Sequence, residues 1–154
     1  MTYENLLQEA ADANVYVIED APFQSRADGL IRNDVIGINR TVRQSTQRAC
    51  VLAEELGHYH TTVGDIIDQS SDSNRKQELR ARLWSYNKLI GLHGIISCYK
   101  TGCQTAYDMA EHLGVTEEFL HEALQCYRSK YGIYTRFDNY VVYFEPTLSV
   151  LELI

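Results

Sequence analysis

Positive charge, paired thiols and long apolar runs are what this sequence is short of. Its 154 residues carry 21 aspartates and glutamates against 14 lysines and arginines, a formal net charge of −7. Such a surface repels phosphate, which argues against a general grip on nucleic acid or an anionic membrane. No apolar stretch is long enough to span a bilayer. The start, Met1 to Ala13, has no basic region followed by an apolar run, so no signal peptide is expected and the expected compartment is the cytoplasm. The four cysteines, Cys50, Cys98, Cys103 and Cys126, include no CxxC pair. That spacing speaks for reduced thiols and against a zinc site built on sulfur. There is no internal repeat and no low-complexity tract.

What is present is the composition of an ordinary globular protein. Hydrophobic residues make up 45% and charged residues 23%, so the chain can bury a sizeable core without staples. Residues 3–13 read as a helix and residues 15–19 as a strand. Residues 29–39 read as two short strands around the turn pair Asn33-Asp34. Residues 44–60 read as a helix, because Ala49, Leu52, Ala53 and Leu56 recur at i, i+3, i+4 and i+7. Ser45 or Thr41 is the expected cap. The second half of residues 61–76 is rich in serine and aspartate and reads as a loop. A further helix is expected over about residues 75–90, with Leu79, Leu83, Tyr86 and Ile90 as its stripe. Residues 91–101 form a short segment between Gly91 and Gly102. Then come a helix, a tight turn at Gly114, a second helix capped at Thr116, and a hairpin around Asp138-Asn139. That last arrangement is similar to a winged helix. Residues 104–130, however, hold five acidic residues against Arg128 and Lys130. DNA binding therefore ranks below protein docking or completion of the core.

The stretch that carries chemistry is Cys50 to Thr62, CVLAEELGHYHTT. It is close to the zinc-protease signature HExxH, with Glu54 in place of the first histidine. Positions i and i+4 share a helix face, so Glu54 and His58 can hold one metal ion together. Glu55, at the flank, is placed to take a proton from water and return it to a leaving amine. A catalytic zinc needs a third protein ligand. The search leads to Glu78 on the next helix, where Ala81 at i+3 permits close approach. Leu56 belongs to the core stripe, and Gly57 removes bulk beside the site. Alone, EELGH is more often the pattern of a solvated helix surface than of a metal site. The strand pair before it and the glutamate after it distinguish it.

This combination resembles the ImmA/IrrE family of metallopeptidases, especially the short forms of phages and mobile elements in Gram-positive bacteria. The segments that carry the resemblance are GLIRNDVIGIN, RACVLAEELGHYHTTVGDI and QELRARLWSYNKLI, covering roughly residues 1–95. The resemblance implies an α+β fold, a mostly helical, zincin-type domain with a small three-stranded sheet and a helix-turn-helix/hairpin C-terminal extension. The expected division is 1–100 for the metallopeptidase-like domain and 101–154 for the extension. It implies Glu54, His58 and Glu78 as metal ligands and Glu55 as catalytic base. The ion is zinc, with manganese as the alternative. Two glutamates and one histidine around a divalent ion sum to zero charge, which favours harder ions and acidifies bound water less. The implied partner is a helix-turn-helix repressor, either cleaved or, in the alternative reading, bound without cleavage by a non-catalytic antirepressor. Nucleic acid and membrane are not expected partners, and oligomeric state is left open.

Four further expectations concern the surroundings. Asp65 is a candidate acceptor for a histidine N–H. His60 lies about 200° round the helix from His58 and does not share the site if the helix continues; it becomes a substitute ligand only if the motif helix ends near Tyr59. His93 is read as structural, and His112 and His121 as solvated. Residues 34–39, DVIGIN, are read as a strand edge for a partner backbone, with Val35, Gly37 and Asn39 facing one side and Ile36 and Ile38 the core.

Overall fold

The computed structural model describes residues 1–62 and 71–154, the side chains of residues 71 and 72 excepted. Asp65 lies outside the described residues. The chain is α+β and mostly helical, and it divides into two compact units, Met1–Ser85 and Tyr86–Ile154.

The first unit opens with helix α1, Tyr3–Asp12. Thr2 and Asn5 form a reciprocal capping box that occupies the free N–H groups of the first turn. The helix buries Tyr3, Leu6 and Ala10. Strands β1 (Tyr16–Ala21), β2 (Gly29–Arg32) and β3 (Val35–Asn39) form a sheet in the order β1-β3-β2, with β1 parallel and β2 antiparallel to β3. The β2–β3 turn falls at Asn33-Asp34, where Asn33 takes φ 57°. Asparagine tolerates that left-handed backbone better than most residues.

Placing β3 at an edge is corrected. Gly37 pairs with Ile18 of β1 on one side and Leu30 of β2 on the other. Asn39, expected to face outward, is buried. Its side-chain nitrogen donates to the Ala27 carbonyl at 2.9 Å, and its side-chain oxygen accepts from the Thr41 N–H at 3.2 Å. Residues Ile36 to Asn39 are buried throughout. A near-continuous apolar run marks a strand covered on both faces, and this one occupies the centre of the sheet.

Helix α2, Ser45–Thr61, packs its stripe as the periodicity requires, with Ala49, Leu52, Ala53 and Leu56 all buried. Its cap differs from expectation. Gln44 holds the N-cap position without a side-chain hydrogen bond, and Thr41 is tied instead to Asn39. Helix α3, Ser71–Leu89, buries Tyr86 as the expected stripe requires, and Ile90 just beyond it is buried too, but the helix departs from the stripe at its start. Leu79 is 57% exposed, while Ala81 and Ser85 are buried. The reason is a close helix approach that only small side chains allow.

The second unit contains α4 (Gly91–Thr101), α5 (Ala106–Leu113) and α6 (Glu117–Tyr131), followed by β4 (Tyr134–Phe137), β5 (Tyr140–Tyr143) and β6 (Ser149–Glu152). The Thr116 hydroxyl accepts from the Phe119 N–H and caps α6 as expected. The hairpin turns at Asp138-Asn139, and β6 adds a third antiparallel strand beside β5. Leu148, Val150, Leu151 and Leu153 fall on both parities, which hid β6 from a search for alternation.

The break between α3 and α4 is held by a buried tyrosine. Gly91, at φ 64°, donates its N–H to the Tyr127 hydroxyl at 3.1 Å, and that hydroxyl donates to Asn87 Oδ1 at 2.9 Å. Tyr127 is fully buried. Tyr127→Phe leaves a buried N–H unpaired, and we expect a loss of about 1–3 kcal/mol in urea denaturation. A change below about 0.5 kcal/mol, the range of surface substitutions, would contradict this pinning role.

Candidate metal centre

The site is built in the first unit, where α3 crosses α2. A Cβ placed on Gly57 would overlap the carbonyl oxygen of Ala81 and lie 3.1 Å from its carbon. Glycine on α2 and alanine on α3 therefore let the two backbones touch. The Ser85 hydroxyl, one turn further along α3, donates to the Arg82 carbonyl at 2.6 Å and keeps this small-residue face satisfied. Glu78 and Ala81 are three residues apart and share one helix face. The backbone contact at Ala81 thus delivers Glu78 to the motif helix.

The result is a short contact between two of the expected ligands. His58 Nε2 stands 3.3 Å from Glu78 Oε2. Two donors each about 2.0–2.1 Å from a tetrahedral ion stand roughly 3.3 Å apart, so the pair already has the spacing of ligands to one zinc. The other Glu78 oxygen accepts from Arg82 Nε at 3.0 Å. Among the described residues, no three His, Cys, Asp or Glu side chains are gathered to hold an ion. Glu54, half-buried one turn before His58, does not complete the set as placed. The donors fit a divalent ion in chemistry and, for His58 and Glu78, in spacing.

Glu55 is in a different environment from its neighbours. A Cβ on Gly29 would lie 3.0 Å from Glu55 Cγ and Oε1 and 2.7 Å from Val51. The start of β2 therefore roofs Glu55, and glycine is what leaves the carboxyl its room. Burial, then the carboxylates of Glu54 and Glu78, push Glu55 up to about 7. A carboxyl in that range exchanges its proton near neutrality, which is the property of a general acid–base group. Gly29 was not among the residues picked from sequence. Its signal is a glycine opening a strand, a common mark of close approach.

His60 is corrected. Helix α2 continues to Thr61, and the exposed His60 ring stacks on Trp84 with centroids 4.9 Å apart. It is turned away from His58 by about 200° of helix. In the second unit His93 is exposed rather than structural, and His112 is exposed as expected, with its Nε2 2.9 Å from the Ser97 hydroxyl.

A peptidase family model described as the IrrE N-terminal-like domain matches residues 8–125. Neither a curated protein nor a solved structure matches the chain.

The crossing makes a prediction with a definite sign. At an open helix position, alanine in place of glycine stabilises by up to about 1 kcal/mol. Gly57→Ala instead drives a methyl group into the Ala81 backbone, and such overpacking costs about 1–3 kcal/mol. Urea denaturation should show destabilisation. A stabilised variant would contradict the backbone contact.

Proposed function

The chain belongs to the IrrE N-terminal-like family, a zinc-dependent type of peptidase, and on that premise we propose that it is a metal-dependent endopeptidase acting on a helix-turn-helix repressor. In this reading Glu54, His58 and Glu78 hold a zinc or manganese ion and Glu55 is the catalytic base. The observation that carries it is the 3.3 Å approach of His58 to Glu78 with Glu55 beside them. The bound ion supplies Lewis-acid polarisation of the scissile carbonyl and acidifies water. The rest is done by this chain's own groups. A Glu55 carboxylate oxygen takes a proton from the attacking water and returns it to the leaving amine. The Gly29 backbone above it limits access of bulk water. Strand β2 is an edge of the sheet among the described residues, so it offers main-chain groups to an extended substrate. The DNA-contacting surface of a repressor is basic, and a protein of net charge −7 attracts such a surface electrostatically.

One observation favours a second reading, a non-catalytic antirepressor. Arg82 already supplies a positive charge to Glu78, and Glu54 replaces a neutral imidazole. A cation there has to compete with Arg82 for the third ligand. In that reading the family fold binds the repressor and the motif is a relic.

Elemental analysis separates the two. The purified protein should take up about one zinc or manganese ion, the occupancy of a single site. His58→Ala and Glu78→Ala should each abolish uptake. Glu55→Gln should keep the ion and lose cleavage by about 10²–10⁴-fold. If both alanine variants bind metal like wild type, the ligand assignment is wrong. A wild type that binds no metal yet still antagonises the repressor establishes the second reading.

A further inference from the structure

The second unit holds a thiol pair that the CxxC search passed over. Helix α4 ends in a Schellman motif. Gly102 takes φ 83° and donates its N–H to the Tyr99 carbonyl at 3.1 Å, while Cys103 donates its N–H to the Cys98 carbonyl at 3.0 Å. In this motif the two residues joined by the outer bond frequently bring their side chains into contact, and here the Cys98 and Cys103 thiols are hydrogen-bonded. Here both carry sulfur. Both also line one cavity of about 310 Å³, together with Ile95, Met109, Leu120 and Val150. Their burial is unequal. Cys98 is 2% exposed, whereas Cys103 is only partly covered and its thiol donates to the Asp108 carbonyl at 3.7 Å.

We propose that Cys98 and Cys103 are a reversible dithiol–disulfide pair, oxidised by hydroperoxides, that clamps the C-terminal turn of α4 in the wall of this cavity. Cys103 is the attacking thiol, because peroxide reaches it. Its thiolate attacks the peroxide, the S–O bond forms, the O–O bond breaks, and an alcohol (or water, from hydrogen peroxide) leaves. The Cys98 sulfur then attacks the sulfenic sulfur of Cys103. The S–S bond forms, the S–O bond breaks, and hydroxide leaves with the Cys98 proton as water. In sum, two thiols and one hydroperoxide give a disulfide, an alcohol and water. Burial and the neighbouring Cys103 thiol push the Cys98 thiol up to about 12, so Cys98 is not the first attacker. The disulfide withdraws the Cys103 thiol from the Asp108 carbonyl at the start of α5. Intracellular disulfides of this kind are commonly redox-sensing rather than structural.

The alternative is that both cysteines are small apolar packing residues. Native full-length protein treated with hydrogen peroxide, then denatured and alkylated, decides between them by mass spectrometry. The expected product is lighter by two hydrogens and takes up two fewer alkyl groups. Its peptides are cross-linked from Cys98 to Cys103, and dithiothreitol restores it. Cys103→Ser should give no internal cross-link. The proposal is overturned if Cys103 goes to sulfinic acid while Cys98 stays alkylatable. It is equally overturned if oxidation yields only cross-linked dimers.

Discussion

Everything at the candidate metal centre depends on two helix backbones being allowed to touch. Gly57 and Ala81 have almost no side chain between them, and the carbonyl of Ala81 occupies the space where a Cβ on α2 would stand. That contact sets how far along α3 the turn carrying Glu78 lies and how near it comes. Glu78 is one turn before Ala81, and His58 is one residue after Gly57. Their 3.3 Å separation follows from the crossing. Large side chains at either position would hold the helices at the usual 8–10 Å axial distance or beyond. The exposure of Leu79 has the same cause, since the face that α3 turns to α2 is its small one.

The second determinant is the crowding of negative charge. Glu54, Glu55 and Glu78 share a small region with His58 and Arg82. Glu55 is roofed by Gly29 and is the carboxyl that yields, held up near 7 by burial and by the other two. Like-charged carboxylates in one site cannot all ionise cheaply. A divalent cation relieves that repulsion, and Arg82 relieves part of it already. Glutamate at position 54, where the HExxH motif has histidine, adds one more negative charge to this cluster.

Much of this was legible in the sequence, and the failures have physical causes. The α2 stripe was readable because Ala49, Leu52, Ala53 and Leu56 repeat at the helical period and bury together. The β2–β3 hairpin was readable from Asn33-Asp34. Glu78 was reached by asking which acid follows the motif helix one turn before a small residue. Tyr86 and Ile90 of the expected α3 stripe are buried as read, but Leu79 was misread because a large apolar residue was assumed to mark the buried face, whereas Ala81 and Ser85 are what is buried there. Strand β3 was misplaced because order in the chain does not give order in the sheet: β1 pairs directly with β3 on the side away from β2. Gly29 and the Cys98–Cys103 pair were missed because each depends on a non-local or turn-specific approach that spacing does not encode.

The central claim is that the α2–α3 crossing assembles a nitrogen and oxygen metal centre around His58 and Glu78. X-ray absorption at the zinc edge, on protein loaded with one equivalent of the ion, tests it most directly. The account predicts a shell of nitrogen and oxygen donors at about 2.0–2.1 Å, with outer-shell scattering from a single imidazole and no sulfur. A shell containing sulfur at about 2.3 Å, or one with no imidazole, would contradict it.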